Sequence, residues 1–390
     1  MPAARDIAAF VRAEIEERNR VFADYIPRHC RALARVSQEM AQRFGRGGRL
    51  LAVGRGSYAT DAAHIAVEFI HPVIVGKRAL PALDLSANPQ RMLEVLARAE
   101  DIVTSFGPPD IPSLFGATLA GLRRRGCLVC EWPGGLGDDP LPAATEDPLV
   151  HQELTELMYH ALWETVHVFF EQTARQDDVG ASAFLYPFLG ASEHAPSDTL
   201  ADVARSIAEK EAEDARLRSA FADTQAETLA AAVLAVQERI ASGGTLLAFG
   251  NGGSATDAND LVLDCIAPPP GMRPIPAISL SAEPANISAI ANDVGVELIF
   301  SRQLIATGRA ADVAVAISTS GTSKNICAGL LEARRRGMLT IALLGNDGGD
   351  ILRGQLADIP LLVRCDYIPR IQEVQASVYH IFRRALAVFG

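Results

Sequence analysis

Asp312-Val313-Ala314-Val315-Ala316-Ile317-Ser318-Thr319-Ser320-Gly321-Thr322-Ser323 decides how this chain is read. An apolar run ends in hydroxyl side chains around one glycine, and a helical pattern, Asn325–Arg336, follows at once. Strand, tight turn and helix in that order are the repeating unit of a parallel α/β sheet. The N-terminus of a helix presents unpaired N–H groups and a partial positive charge, so it holds anions. Hydroxyls add neutral donors that suit a phosphate or a polyol. Capping a helix takes one such side chain. Ser318, Thr319, Ser320, Thr322 and Ser323 exceed that need, and the stretch predicts a cradle for a phosphorylated sugar.

Working outward, the same unit occurs earlier in the chain. Gly47–Ala62 reads GGRLLAVGRGSYATDA and Gly243–Ala258 reads GGTLLAFGNGGSATDA, aligned without a gap at an offset of 196 with eleven of sixteen positions identical. That density indicates an internal duplication. Each copy is expected to open with a helical hairpin, Ala4–Phe44 and Leu200–Ala241. In the first copy strands are expected at Ala79–Asp84, Asp101–Ser105 and Cys127–Glu131. In the second they are expected at Pro276–Leu280, Asp312–Ser318, Leu339–Leu344 and Pro360–Arg364. A long helix closes each copy, Leu149–Gln172 and Ile368–Val388. Continuous apolar strands alternating with helices predict two α/β domains of flavodoxin-like or Rossmann-like design, each a five-stranded parallel sheet between helices. The expected division is 1–173, a linker at 174–198 rich in Ala, Ser, Pro and Asp, and 199–390.

Bulk composition agrees. At 390 residues two domains are the natural expectation, and 49% hydrophobic with 21% charged residues is ordinary for a globular protein. A net charge of −11 argues against a nucleic-acid partner. Cysteines at 30, 127, 130, 265, 327 and 365 are scattered and suggest no disulfide framework. Cys127-Leu128-Val129-Cys130 lies in an apolar run and reads as buried strand rather than a metal or redox pair. Met1–Arg20 is charged and amphipathic without a signal-peptide core, and no apolar run is long enough to span a bilayer, so a cytoplasmic protein without a membrane partner is expected.

GNGGSATDA, ISAIANDVGVELIFSRQ, ISTSGTSKN and RIQEVQASVYH, in that order from Gly250 to His380, resemble phosphoheptose isomerases of the sugar isomerase (SIS) fold. The resemblance implies an enzyme that interconverts sedoheptulose 7-phosphate and glycero-manno-heptose 7-phosphate for nucleotide-activated heptose, lipopolysaccharide included. It also implies a homotetramer with a site between subunits that holds zinc. It places substrate on Asn251, Gly252, Gly253, Ser254, Asn292 and Asp293, with phosphate on Ser318, Thr319, Ser320 and Ser323. Gln372 would touch substrate and metal, and His380 would complete the metal site and move protons.

Two departures from the family pattern are informative. Where the family has His and Glu four residues apart, the second copy has Asp260 and Asp264; with Gln372 and His380 these form an oxygen-rich second candidate metal set. The first copy keeps the implied ligand set His64, Glu68, Gln152 and His160, yet Val103–Asp110, with two prolines and a phenylalanine, replaces the serine-rich turn. The reading is therefore an aldose–ketose isomerase working through a cis-enediol. Asp264 or Glu68 would move the carbon-bound proton, and His380 or His160 would serve the oxygens. A divalent metal such as zinc would assist, and a homodimer of tandem chains would stand in for the tetramer. A non-catalytic sugar-phosphate sensor or scaffold is the alternative. Dinucleotide binding is a third, resting on Gly54-x-Gly56-x-x-Ala59 and Gly250-x-Gly252-x-x-Ala255.

Overall fold

The computed structural model describes residues 3–73, 77–111, 113–174 and 196–390, so most of the expected linker at 174–198 lies outside the described residues. The chain forms two compact units, Arg20–Glu213 and Met1–Asn19 with Asp214–Gly390. They differ from the 1–173 and 199–390 division because two long helices are each shared between units. The first, α1 (Ala4–Gly45), gives Ile7, Val11 and Ile15 to the core that contains the C-terminal sheet. A later helix over Pro196–Ala241 gives Val203, Ala204 and Ile207 to the core that contains the N-terminal sheet. Both run unbroken, for 42 and 46 residues, where helical hairpins are expected from the pattern. A hairpin needs a turn. Pro27 is the one helix breaker between Ala4 and Phe44, and none stands between Leu200 and Ala241.

In the first unit, β1 (Leu50–Val53) leads to α2 (Tyr58–Ile70), β2 (Ala82–Asp84), α3 (Pro89–Leu96), β3 (Ile102–Phe106), α4 (Gly116–Arg124) and β4 (Leu128–Trp132). The short strands β5 (Gly134–Leu136) and β6 (Asp139–Leu141) precede α5 (Pro148–Ala174). The sheet order among the described residues is β2-β1-β3-β4-β5-β6. The strands from β2 to β4 are parallel, while β5 and β6 add antiparallel. This corrects the expected five parallel strands. Gly137 adopts φ +61 between β5 and β6, a tight-turn conformation that reverses the chain at once and leaves no room for a crossover helix.

After the shared helix α6 (Pro196–Ala241), the second unit continues with β7 (Leu246–Phe249), α7 (Gly253–Ile266), β8 (Ala277–Ser279), α8 (Pro284–Asp293) and α9 (Ile299–Thr307). Then come β9 (Val313–Ser318), α10 (Lys324–Arg335), β10 (Leu339–Gly345), α11 (Gly349–Arg353), β11 (Ile359–Val363) and α12 (Ile368–Phe389). Here the order is β11-β10-β9-β7-β8, and every pair is parallel. Alternate strand residues face opposite layers, as the pleat requires. Leu246, Val313, Val315 and Ile341 pack with Leu261 of α7 and Val378 of α12, whereas Leu247, Phe249, Ala314 and Ala316 pack with Phe300 and Ile326 on the other face.

Candidate functional site

The strand order of the second unit places a topological switch between β7, whose chain continues to β8, and β9, which lies on β7's other side and leads to β10. In open α/β sheets ligands bind outside the carboxyl ends of strands at such a point. Both flanking turns carry predicted residues. After β7, Gly250 has no room for a side chain, since a Cβ would stand 2.2 Å from Ser254 O. Asn251 and Gly252 are exposed at the turn, and Gly253 and Ser254 open α7, buried. After β9, Gly321 takes φ +64 with its α-carbon pressed against Gly348, where a Cβ would lie 2.2 Å from the Gly348 carbonyl oxygen. Ser318 Oγ accepts from Gly321 N at 3.1 Å, which folds the turn. Ser320 Oγ accepts from Thr322 N and Oγ1 at 3.3 and 3.1 Å. Thr319 is partly buried, and Ser323 precedes α10 without capping it through its side chain. The two turns are tied by a reciprocal amide pair: Asn251 Nδ2 donates to Asn325 Oδ1 at 3.0 Å, and Asn325 Nδ2 to Asn251 Oδ1 at 2.8 Å. Asn292 and Asp293 are exposed on α8, bonded to each other at 2.8 Å.

Further along α7, this helix and α12 bring a buried cluster together. His380 Nε2 lies 3.1 Å from Asp260 Oδ2 and 3.3 Å from Asp264 Oδ2. The Tyr379 hydroxyl donates to Asp260 Oδ2 at 2.9 Å. Arg383 turns its Nε to the Asp264 carbonyl oxygen at 2.9 Å and its Nη2 to Arg273 O at 2.6 Å. Burial, then the Asp260 charge, raises the Asp264 carboxyl above the usual range, against the pull of His380 and Arg383. Gln372 is buried on the same helix, two turns before His380.

The first unit repeats the arrangement with other donors. His64 Nε2 and His160 Nε2 face each other at 3.3 Å, and Glu68 Oε1 is 3.8 Å from His64 Nε2. Gln152 Nε2 donates to Asp61 Oδ2 at 3.0 Å, one helical turn before His64. Burial, then His160, pushes His64 well below the usual imidazole range. Burial, then Glu164, pushes Glu68 up to about 8. The phosphate-loop position carries other groups here. Phe106 stacks on Trp132 with ring centroids 6.2 Å apart, and His151 Nε2 contacts Gly107 O at 3.2 Å.

A divalent ion fits the first cluster on donor chemistry. Two imidazole nitrogens and a carboxylate oxygen lie within 4.8 Å of one another, and Glu68 Oε2 is buried without a hydrogen bond. Two nitrogens each ~2.1 Å from one tetrahedral zinc stand ~3.4 Å apart, close to the His64–His160 separation. Sequence reasoning missed Tyr379, which fastens Asp260, and Lys210, which pairs with Glu164 behind Glu68. A signal for the tyrosine was present, because Tyr159-His160 and Tyr379-His380 recur in the two copies.

Comparison with known proteins follows the second copy. A family model described as SIS domain matches residues 211–345. The phosphoheptose isomerase of Geotalea daltonii is 46% identical over 154 residues, 39% of this chain and 79% of that protein. Two solved structures share the fold over nearly the whole chain. The tagatose-6-phosphate ketose/aldose isomerase of Escherichia coli has a TM-score of 0.56 at 13% identity, covering 100% of this chain and 95% of that one. The C-terminal domain of glucosamine-fructose-6-phosphate aminotransferase from Francisella tularensis has a TM-score of 0.57 at 12% identity, covering 97% and 95%. A parallel sheet with hydroxyl- and amide-bearing turns at its switch point is thus a SIS domain. The chain belongs to the phosphoheptose isomerase family. Among the described residues no helix is long and apolar enough to cross a membrane.

Proposed function

We propose that this protein is an aldose–ketose isomerase of a sugar phosphate, interconverting sedoheptulose 7-phosphate and D-glycero-D-manno-heptose 7-phosphate. The observation that carries the reading is the seating of the Ser318–Ser323 turn and the Asn251 turn on the two sides of one switch point, with α7 leading from the Asn251 turn to Asp264 beside His380. Ser318, Thr319, Ser320 and Ser323, with the first N–H groups of α10, hold the phosphate. Asn251, Gly252, Gly253, Ser254 and Gln372 line the sugar. Asp264 carries the proton between C1 and C2 through a cis-enediol, and its raised pKa suits a group that must both take and return a proton. His380 exchanges a proton with O1 or O2. Asn292 and Asp293, exposed on α8, reach sugar hydroxyls in an assembly of chains, for which a homodimer is the simplest form.

His64, Glu68, Gln152 and His160 would hold a divalent cation, zinc by donor type. Such an ion supplies Lewis-acid polarisation to a carbonyl oxygen beside it. Glu68 and His160 then occupy, in the first copy, the positions of Asp264 and His380. The decisive experiment follows sedoheptulose 7-phosphate in D2O by NMR. Deuterium entering the C1 or C2 position, and failing to enter with Asp264→Asn, supports the reading. Uptake that survives both Asp264→Asn and Glu68→Gln removes it. A second reading, a non-catalytic sugar-phosphate sensor or scaffold, is favoured by Asp260 Oδ2, which already receives Tyr379 and His380. It requires binding of the same sugar with no deuterium uptake.

A further inference from the structure

The long leading helices and the closing helices of the two copies correspond position for position. α1 ends at Gly45 and α6 at Ala241, the same offset of 196 that relates the repeated turns. Asn19 Nδ2 donates to Ala215 O at 3.2 Å, a contact between two equivalent positions. α5 and α12 align at an offset of 220, which sets Tyr159-His160 on Tyr379-His380. On these offsets Glu14 corresponds to Lys210, and Glu164 to Arg384. Each unit holds one ion pair built from these four residues. With the C-terminal sheet, Arg384 Nη1 lies 3.2 Å from Glu14 Oε2. With the N-terminal sheet, Lys210 Nζ pairs with Glu164 Oε2. The two contacts are equivalent, and every charge in one is reversed in the other. We propose that this reversal is a pairing code. It directs the leading arm of each copy to the closing helix of the other copy, and it rejects the same copy's closing helix on a second chain.

Apolar packing does not supply this choice. Ile7, Ala8 and Val11 of α1 stand where α6 has Val203, Ala204 and Ile207, and all six are buried. Either stripe offers a closing helix the same kind of surface. The charges do discriminate. An arm docked on the closing helix of its own copy would set Glu14 against Glu164, or Lys210 against Arg384. Exposed ion pairs contribute little. Here the side chains of Glu14 and Arg384 are 16% and 18% exposed, and those of Lys210 and Glu164 11% and 0%, so like charges would lose most of their water with no opposite charge in return. A second arm position is reversed as well. Arg18, whose Nη1 lies 2.7 Å from Glu14 Oε2, stands where α6 has Asp214. Helices that share one apolar seam choose partners by such complementary and opposing charges. Two copies with identical residues at these positions would let either arm take either closing helix, in its own chain or in a neighbour.

The test uses the full chain. Glu14→Lys and Arg384→Glu each set like charges together at one contact and should lower the urea midpoint. The double variant Glu14→Lys/Arg384→Glu is complementary again, so its midpoint should return toward wild type, with a coupling of ~5-fold or more in the unfolding equilibrium. It also makes both arms basic and both closing helices acidic, so the choice of partner is lost. Refolded from urea at rising protein concentration, it should give a growing fraction of larger species in size-exclusion chromatography with light scattering. Wild type should give one species throughout. Adding Lys210→Glu and Glu164→Lys writes the code in the opposite sense and should bring back the single species. If the single or fourfold variants do not fold, the double variant against wild type still decides. A double variant that refolds to one species at every concentration overturns the pairing code, as does a wild type that is already mixed. A folded fourfold variant as mixed as the double, or no coupling between Glu14→Lys and Arg384→Glu, overturns it too.

Discussion

The two copies keep the same scaffold and differ in what they mount on it. The scaffold positions agree closely. Asp101 Oδ1 accepts Arg49 N at 3.0 Å and Asp312 Oδ1 accepts Thr245 N at 2.9 Å, each pinning the start of the strand that opens its sheet. Ser86 Oγ accepts Gly54 N at 3.0 Å and Ser281 Oγ accepts Gly250 N at 3.1 Å, each fixing the turn above that strand. The mounted groups diverge. The second copy has a hydroxyl-rich turn at the switch point and paired carboxylates on α7. The first has Phe106 stacked on Trp132 at its strand ends and facing imidazoles on its helices. On the proposed reading, one unit seats the ligand and the other holds the metal, since turn residues and helix-face residues can vary independently once backbone geometry is held.

The sharpest way to break this contrast is the proton carrier. Asp264→Asn is expected to lower turnover by ~10²–10⁴-fold, the range for a lost general acid–base. Steady-state rates with unchanged circular dichroism would establish it, and a rate within a few-fold of wild type would leave the second copy's carboxylate without its role. Next in size is phosphate seating. Ser320→Ala should raise KM by ~10-fold or more, since a hydrogen bond to a charged group contributes ~1.5–3 kcal/mol. Pro109→Ala at the corresponding loop of the first copy should leave KM where it was. Equal effects of the two changes would erase the distinction.

A third test concerns pH. Glu68 is pushed up to about 8 by burial and by Glu164, from an ordinary 4.5. The folded, metal-free chain then keeps a proton that the unfolded chain releases, so stability falls as pH rises from about 4.5 to about 8. His64, pushed down by burial, acts in the opposite sense: stability falls as pH drops below its ordinary 6.5. Glu68→Gln should flatten the decline at high pH and keep the one in acid. Urea midpoints of stripped protein at several pH values would reveal it, and parallel curves for variant and wild type would acquit Glu68. The smallest effect belongs to Tyr379→Phe, which removes one buried hydrogen bond to Asp260 and should cost ~1 kcal/mol in a urea titration. No loss there would mean that His380 alone holds that carboxylate.

Much of the second copy was legible in its residues. Val313–Ser318 reads as strand because β-branched and small apolar residues fill both faces of a central strand, and Gly321 reads as a turn because its backbone needs φ > 0. The helical hairpins and the antiparallel β5 and β6 were misread for different reasons. α1 carries one breaker, Pro27, and α6 none over Leu200–Ala241, so the expected hairpins had little support in the residues. Composition gave no warning at Gly134–Leu141, where short strands carry too few residues to reveal alternation. Tyr379 and Lys210 were missed because each acts through a partner on another helix.

By itself the sequence determined the twice-repeated strand, glycine turn and helix, since such signals act within a dozen residues through backbone sterics and hydrophobic period. Only the folded molecule decided that Asp260 meets His380 across 120 positions, that two imidazoles face each other in the other copy, and which carboxyls keep their protons. Those outcomes depend on packing and desolvation, which exist only after distant helices have come together.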